Sequence, residues 1–354
     1  MITVMKYIRT LILCLVVFSF ASCERAFMCD DEPSYPVNVF DYLWNKVDQQ
    51  YAFFDVKGVN WDSVYEVYRP KVHDDDMDVD SLFGVCAAIL NTLKDGHTNL
   101  ISKFDVSHND SVYYKMYAEK NIDANVVMLN YLTINYHTTG SLIHNAIRNG
   151  DVAYIRYSSF MDDITRDNLL YLIATYENCK GWILDLRQNG GGNIANISTL
   201  LSIFDNHGQP LYHTQIKSGP EHDAFTELTT VYADSTDYSD IFTEPAFTKP
   251  VAVLIDRGSY SATSFFAICT QGYDNIKLFG DYSGGGLGLP NGGALPNGWT
   301  YRFSITRTFA LDGGNYENGV PPDVRVILDP ACTAQGIDNV IETAADWILL
   351  ESCK

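Results

Sequence analysis

The 354-residue chain is predicted to adopt an α/β fold, in which a sheet with flanking helices follows a small, mainly helical N-terminal subdomain. Three observations predict this architecture. Helical periodicity dominates residues 38–93, apolar strand-like runs alternate with amphipathic segments after residue 150, and 46% hydrophobic content is enough for a substantial core. Such alternation is typical of βαβ units and a parallel sheet.

The first residues predict an export signal. Two basic residues precede the apolar run "LILCLVVFSF", which is too short to anchor the chain across a bilayer. The small residues of "FASC" are typical of a bacterial lipoprotein signal, which predicts removal of residues 1–22 and lipid attachment at Cys23. Ordinary secretory cleavage nearby and an uncleaved anchor are the alternatives. Residues 23–36 are polar and acidic, so they are predicted to form a tether.

The N-terminal subdomain is assigned to residues 37–105. Apolar residues recur at helical spacing over residues 38–54 and again over 82–93. The acidic run before the second helix suits a helix N-terminus, and Gly96 is placed to end that helix. His97 is therefore expected on a turn just after a helix.

The remainder divides into a connecting segment and a core domain. Residues 106–150 are expected to be β-rich, with strand-like runs such as "NVVMLNYLTINY", and they lack the features of a PDZ domain. Residues 151–354 contain the buried strand patterns "VAYIRY", "GWILDLR", "PVAVLID" and "IKLFG", separated by helical segments. A last helix, with apolar residues in phase from Ile337 to Ile348, closes the chain.

Charge and cysteine usage narrow the classes of partner. A formal net charge of −20 disfavours binding to nucleic acid and to anionic membrane surfaces, so a lipid anchor would be the chain's only membrane contact. Six of the eight cysteines follow Cys23, and none has the spacing of a metal-ligand motif. Their disulfide pairing is open, although Cys86 and Cys269 lie on apolar stretches and are expected to be buried thiols.

The stretch "DRGSYSATSFF" follows a predicted buried strand and begins a helix near Ser261. Free N–H groups and the helix dipole at that position favour developing negative charge, so Ser261 is a candidate nucleophile and the Ala262 N–H a candidate oxyanion donor. The alternative is that Ser259 or Ser261 simply caps the helix.

The stretch "LDLRQNGGGN" carries three glycines after a predicted strand. Glycines let the backbone approach a ligand and leave N–H groups free to donate, which suits an oxyanion loop; a flexible turn is the alternative. A phosphate loop is disfavoured because no Lys-Ser/Thr pair follows. Two further turns, "LKDGHTNL" with His97 and "NYENGVPPDVRV" with Glu317, would be unremarkable alone.

Together the four segments, in this order, resemble the family of serine peptidases that includes the C-terminal-processing (tail-specific) proteases and the tricorn core peptidase. The resemblance covers most of residues 38–330. It implies a crotonase-like core sheet, a nucleophile at Ser261, and oxyanion donors at the N–H groups of Ala262, Gly191 and Gly192. It also implies a peptide or protein substrate and no metal or cofactor.

The family has two branches that differ in the catalytic base. The processing proteases use a lysine whose position corresponds to Gly286, and this chain has no lysine between Lys277 and Lys354. The tricorn-like branch uses a histidine and a glutamate, and these match His97 and Glu317. That branch also has a serine before the histidine, where this chain has Gly96, so its helper hydroxyl is missing unless Thr98 or another group replaces it.

The sequence therefore predicts an exported, lipid-anchored serine endopeptidase on the periplasmic or cell-surface side, with Ser261, His97 and Glu317 in its site. Its oligomeric state is left open. The alternative is a catalytically silent family member that binds peptides or proteins at the cell surface. A glycan- or nucleotide-handling protein would need paired carboxylates or a complete phosphate loop, and the chain shows neither.

Overall fold

The computed structural model of the protein describes residues 33–204, 208–233 and 246–354. The predicted signal, Cys23 and most of the tether lie outside these ranges. No helix in the described ranges combines the length and apolar character that crossing a bilayer requires.

The N-terminal subdomain is helical, as predicted. Its helices are α1 (Pro36–Gln50), α2 (Phe54–Lys57), α3 (Trp61–Tyr68) and α4 (Val79–Asn91), with a 3₁₀ turn at Arg69–Lys71. The Asp78 side chain caps α4 by accepting from the Ser81 N–H. Gly96 was expected to end this helix, but α4 ends at Asn91 and the chain reverses at Lys94, whose φ is 51°.

The connecting segment differs from the β-rich prediction in its first half. Strand β1 (Asn99–Ile101) precedes the segment. The elements of the segment are α5 (Asp110–Ala118), α6 (Ala124–Val126), a π-helical turn (Val127–Leu132), β2 (His137–Thr139), β3 (Leu142–Ile147) and a 3₁₀ turn (Arg148–Gly150). The strand prediction for "NVVMLNYL" is wrong because the Asp123 side chain caps a helix there, accepting from two N–H groups. The helical turns then bury Val127, Tyr131 and Leu132.

The rest of the chain alternates strands and helices. Its elements are β4 (Val152–Tyr157), α7 (Arg166–Thr175), β5 (Gly181–Asp185), α8 (Ala195–Leu201), β6 (Pro210–Ile216), β7 (Thr229–Tyr232), β8 (Val251–Ile255), α9 (Ala262–Cys269), a 3₁₀ turn (Thr270–Gly272), β9 (Ile276–Gly280), β10 (Pro290–Ala294), β11 (Thr300–Ser304), β12 (Thr306–Phe309), β13 (Val324–Arg325), α10 (Pro330–Thr333) and α11 (Asn339–Glu351). The described strands form three sheets, and the largest has the order β13-β9-β8-β5-β4-β3-β2.

This largest sheet confirms the predicted βαβ arrangement. Strands β4, β5, β8, β9 and β13 are parallel, whereas β2 and β3 extend the edge antiparallel. The sheet therefore begins before residue 151, where the core domain was expected to start. Alternate residues of β5 and β8 enter two separate cores, one with α7, α8 and α9 and the other with the π-helical turn and α11. Because both faces are covered, the strands are continuously apolar.

A hairpin from the C-terminal half completes the N-terminal subdomain. Strand β11 lies between β10 and β1, and Asn99 is paired with Arg302. Tyr301 and Phe303 of β11 pack in the same apolar cluster as Phe40 and Leu43 of α1. The subdomain therefore does not have a core of its own, and β1 is held beside the larger domain.

A buried ion network joins α11 to β5. Arg187 is fully buried, and its guanidinium lies 2.6 Å from Asp185 Oδ2 and 2.9 Å from Asp338 Oδ2. Asp338 Oδ1 also accepts from the N–H groups of Val340 and Ile341 at the start of α11. One carboxylate thus caps the last helix and binds the arginine of the sheet.

We predict that Arg187→Met destabilises the protein by about 3–5 kcal/mol. It leaves the buried carboxylate of Asp338 without its cation and that of Asp185 with only Arg156, at 3.6 Å. The free energy of unfolding in urea measures this. Arg325→Met is the matched control, since Arg325 is 61% exposed beside Asp281, and its loss should cost less than about 1 kcal/mol. Equal losses for the two variants would contradict the assigned role of the buried network.

Candidate active site

Ser261 has a strained backbone that presents its hydroxyl. It occupies the N-cap position of α9 with φ 54° and ψ −118°, a conformation that costs a non-glycine residue roughly 1–3 kcal/mol. Its side chain makes no capping hydrogen bond. The capping alternative therefore does not describe Ser261, whose Oγ points elsewhere.

The other two serines of this stretch, Ser259 and Ser264, use their hydroxyls in structural hydrogen bonds. Ser259 Oγ donates to the Leu186 carbonyl at 2.8 Å and accepts from the Asp256 N–H at 3.0 Å. Ser264 Oγ donates to the Ser259 carbonyl and contacts the hydroxyl of Ser283. Both side chains are fully buried, whereas Ser261 is partly accessible.

His97 meets Ser261 although the two are 164 residues apart in the chain: its Nε2 lies 3.0 Å from Ser261 Oγ. The imidazole is buried, and burial lowers its pKa, while the carboxylate of Asp95 opposes that shift. Burial therefore favours a neutral ring. With the proton on Nδ1, Nε2 is free to accept one from the serine.

The turn that carries His97 is organised by Asp95. Asp95 Oδ1 accepts from the His97 N–H at 2.8 Å, and its carbonyl accepts from both the N–H and the Oγ1 of Thr98. From β11, Arg302 Nε donates to the His97 carbonyl at 3.3 Å. Because the Thr98 hydroxyl is used within the turn, it does not replace the helper hydroxyl that Gly96 lacks.

Glu317 lies near this turn but is engaged by other groups. It is 1% exposed, and its Oε2 accepts from the N–H groups of Leu287 and Gly288 at 2.7 and 3.1 Å. Its Oε1 lies 3.1 Å from Nζ of Lys57. Burial raises the pKa of Glu317 to about 7, although Lys57 acts against the shift. Among the described residues, no hydrogen bond joins this carboxylate to His97.

The glycine loop packs directly against the nucleophile. Gly191 and Gly192 have φ of 91° and 144°, and a Cβ on Gly191 would lie 2.6 Å from the Tyr260 carbonyl oxygen and 2.8 Å from the Ala262 nitrogen. The Gly191 N–H donates to Asn189 Oδ1 at 3.0 Å, so this predicted oxyanion donor is occupied. Within the described ranges, the N–H groups of Gly192 and Ala262 have no acceptor, so both are free to donate.

Tyr260 lies against both glycines at which the sequence departs from the expected pattern. A Cβ on Gly96 would lie 2.7 Å from Tyr260 Oη, and one on Gly286 would lie 2.3 Å from Tyr260 Cζ. The two glycines therefore border the same aromatic ring. That ring is also 5.1 Å from the His97 ring, centroid to centroid. Burial, with Asp95 and Glu317 nearby, raises the pKa of Tyr260, so its hydroxyl stays neutral.

A cleft of about 500 Å³ opens in front of the serine. Its wall combines polar groups of the site with apolar side chains. These residues include His97, Ser261, Arg302, Met161, Ile194 and the glycines 190–192. Met161 and Ile194 are 73% and 47% exposed, so apolar surface is available beside the nucleophile.

The described part of the site contains no metal-binding cluster and no disulfide. The described ranges contain no group of histidine, cysteine and acidic residues arranged to hold a metal ion. Cys86 and Cys269 are buried thiols, as predicted, and Cys179, Cys332 and Cys353 are also unpaired. Cys29 lies outside the described residues.

Sequence reasoning missed three residues of this site: Asp95, Lys57 and Tyr260. Asp95 and Tyr260 immediately flank the motif residues Gly96 and Ser261, so proximity was the available signal. No sequence signal pointed to Lys57, because this residue reaches Glu317 only through the packing of α2 against the core.

The fold and site define an α/β protein that presents a serine and a glycine loop after parallel strands, with a histidine of the N-terminal subdomain beside the serine. The model of peptidase family S41 matches residues 151–326, and that of the tricorn protease C1 domain matches residues 37–88. A solved structure of a candidate peptidase from Parabacteroides merdae is 34% identical, with a TM-score of 0.81 over 90% of this chain and 98% of that one. The chain belongs to peptidase family S41, which confirms the resemblance to C-terminal-processing and tricorn-like proteases.

Two curated relatives are more distant. The carboxy-terminal processing protease CtpA of Bacillus subtilis is 24% identical over 52% of this chain and 37% of its own length. The nisin-resistance protein of Lactococcus lactis is 27% identical over 54% of each chain. The chain thus spans about half or less of the length of these relatives.

We predict that Gly96→Ser destabilises the protein by about 1–3 kcal/mol, because the added carbon overpacks against Tyr260 Oη. Thermal and urea unfolding measure the loss. Gly84→Ser is the control, because a Cβ on this helical glycine meets nothing within 4 Å. If Gly96→Ser proved as mild as Gly84→Ser, Tyr260 would not fill the serine position.

Proposed function

We propose that the protein is a serine endopeptidase that hydrolyses peptide bonds through an acyl-enzyme on Ser261, with His97 as the general base. The observation that carries this proposal is the 3.0 Å contact between Ser261 Oγ and His97 Nε2. This distance lies within the reach that proton transfer between a nucleophile and its base requires. The strained backbone of Ser261 and its contact with His97 favour a nucleophilic role over a purely structural one.

In acylation, Ser261 Oγ attacks the carbonyl carbon of the scissile peptide bond while His97 Nε2 takes the hydroxyl proton. The tetrahedral intermediate collapses, the C–N bond breaks, and the imidazolium gives its proton to the leaving amine. A water molecule, deprotonated by His97, then attacks the ester. Hydrolysis releases the acyl product and returns the proton to Ser261.

The remaining groups of the site support these steps in our proposal. The N–H groups of Ala262 and Gly192 donate to the oxyanion, the former at the positive end of α9. Glu317 braces the backbone of residues 287 and 288 beside His97, and Lys57 compensates its charge. The core sheet that carries them is proposed to be of the crotonase-like type.

The substrate in this proposal is a peptide or protein whose extended segment enters the cleft beside Met161 and Ile194. No PDZ domain is included, because residues 106–150 form α5, α6, a π-helical turn, a 3₁₀ turn and two strands of the core sheet. Tail recognition by such a domain is therefore not part of the proposed activity.

We predict that Ser261→Ala abolishes covalent labelling by a fluorophosphonate probe, because the nucleophilic oxygen is removed while the fold is kept. Labelling is read by intact-protein mass spectrometry. Ser264→Ala is the matched control on the same helix, and it should retain the label. Persistent labelling of Ser261→Ala would overturn the nucleophile, and an unlabelled wild-type protein would favour the silent, peptide-binding alternative.

We also propose that the chain is exported and lipid-anchored through Cys23, a proposal that rests on the leader sequence alone. Cells fed an alkyne-tagged fatty acid should label the wild-type chain and fail to label Cys23→Ala. Cys14→Ala is the control, since Cys14 lies within the segment expected to be removed. Equal labelling of Cys23→Ala and the wild type would show that the anchor is elsewhere.

A further inference from the structure

Within the described ranges, two polar atoms of the turn that carries His97 are buried without a hydrogen bond of good geometry. They are His97 Nδ1 and Asp95 Oδ2. The backbone of Gly288 lies beside the imidazole, and the hydroxyl of Tyr51 lies beside Asp95. The Asp95 carboxylate therefore acts on His97 through its bond to the His97 N–H and through its charge. A buried carboxylate that close to a candidate base calls for a role.

Asp95 is the carboxylate most closely tied to this histidine. It is 0% exposed, its Oδ1 holds the His97 N–H at 2.8 Å, and its carbonyl fixes Thr98. Only Gly96 separates Asp95 from His97, so the same turn fixes the positions of both residues. By contrast, Glu317 is held by Leu287, Gly288 and Lys57.

We propose that Asp95, rather than Glu317, is the positioning residue for His97: it orients the imidazole and stabilises the imidazolium that forms when Ser261 loses its proton. The inference rests on the proposed function, because it assigns a partner to the base of that reaction. In each half of the reaction, Nε2 gains and then loses one proton. The Asp95 carboxylate lowers the free energy of the charged ring without taking a proton itself.

The groups around His97 shift its pKa in opposite directions. Burial lowers its pKa, Asp95 raises it, and the cations of Arg302 and Lys57 lower it. The other titratable groups that face this cluster are the carboxyl of Glu317 and the hydroxyls of Tyr51 and Tyr260. Burial and Asp95 raise the pKa of both tyrosines, so they face the carboxylate as neutral groups.

The pH dependence follows from these signs. Neutral His97 is the active form, so acylation is lost as the pH falls through the pKa of His97, which lies below its ordinary value of 6.5. If Asp95 loses its charge, the imidazolium loses its stabilising partner and that pKa falls further. The acid limb of the rate profile should then move to lower pH while the rate itself decreases.

The test compares fluorophosphonate acylation rates of the wild type and Asp95→Asn from pH 4.5 to 9. Asparagine keeps the Oδ1 acceptor for the His97 N–H but removes the charge. We expect the plateau rate to fall by about 100-fold, and the acid limb to shift to lower pH by roughly one unit. Asp95→Glu retains a carboxylate, so its acid limb should stay near that of the wild type even if its plateau rate falls.

Two further variants separate the possible causes. Asp75→Asn removes the same charge from an exposed loop and should leave both rate and profile unchanged. Glu317→Gln should not move the acid limb to lower pH. The inference is overturned if Asp95→Asn keeps the wild-type rate and profile, or if Glu317→Gln alone produces the downward shift.

The same experiment distinguishes this inference from the proposed function. If the wild-type protein is not acylated at Ser261, the function itself fails; if it is acylated but indifferent to Asp95→Asn, only the inference fails. Should Asp95→Asn not fold, Asp95→Ser removes the same charge, and ¹⁵N chemical shifts of His97 against pH provide the readout. We expect the pKa of His97 to be lower than in the wild type, and an unchanged pKa would contradict the positioning role.

Discussion

The antiparallel pairing of β1 with β11 is the interaction on which the site depends. His97 lies two residues before β1, and its carbonyl accepts from Arg302 of β11. The same strand supplies Tyr301 and Phe303 to the core of the N-terminal subdomain. The strand that helps to form the apolar core of the subdomain therefore also positions His97. The subdomain cannot detach from β11 without removing His97 from Ser261.

Ser261 shows how local strain is maintained by surrounding structure. Its N–H donates to the Gly285 carbonyl at 2.9 Å, and its own carbonyl accepts from Phe265 in α9. Every residue of that helix is buried, so the apolar free energy of packing offsets a backbone conformation that would be unfavourable in isolation. As a result, the Ser261 hydroxyl does not cap the helix and instead contacts the His97 ring.

The departures at Gly96 and Gly286 have a common physical origin. Both glycines pack against the ring of Tyr260. A side chain at either position would collide with that ring. The ring of Tyr260, next to Ser261, thus fills the space that a side chain at Gly96 or Gly286 would need. The serine–histidine pair of this chain is surrounded by the ring of Tyr260, the ammonium group of Lys57 and the carboxylates of Asp95 and Glu317.

Local patterns in the sequence were enough to predict the parallel strands after residue 150, the N-terminal helices and the family motifs, because periodicity and motif order are local properties of the chain. The same patterns misassigned residues 124–132 as strand. A short apolar run suits a buried helical turn equally well, and the Asp123 cap favours the helix here. Which side chains come into contact depends instead on how distant segments pack. The His97–Ser261 contact, the Lys57–Glu317 pair and the Tyr260 packing all join distant segments, and their geometry comes from packing that no local pattern encodes.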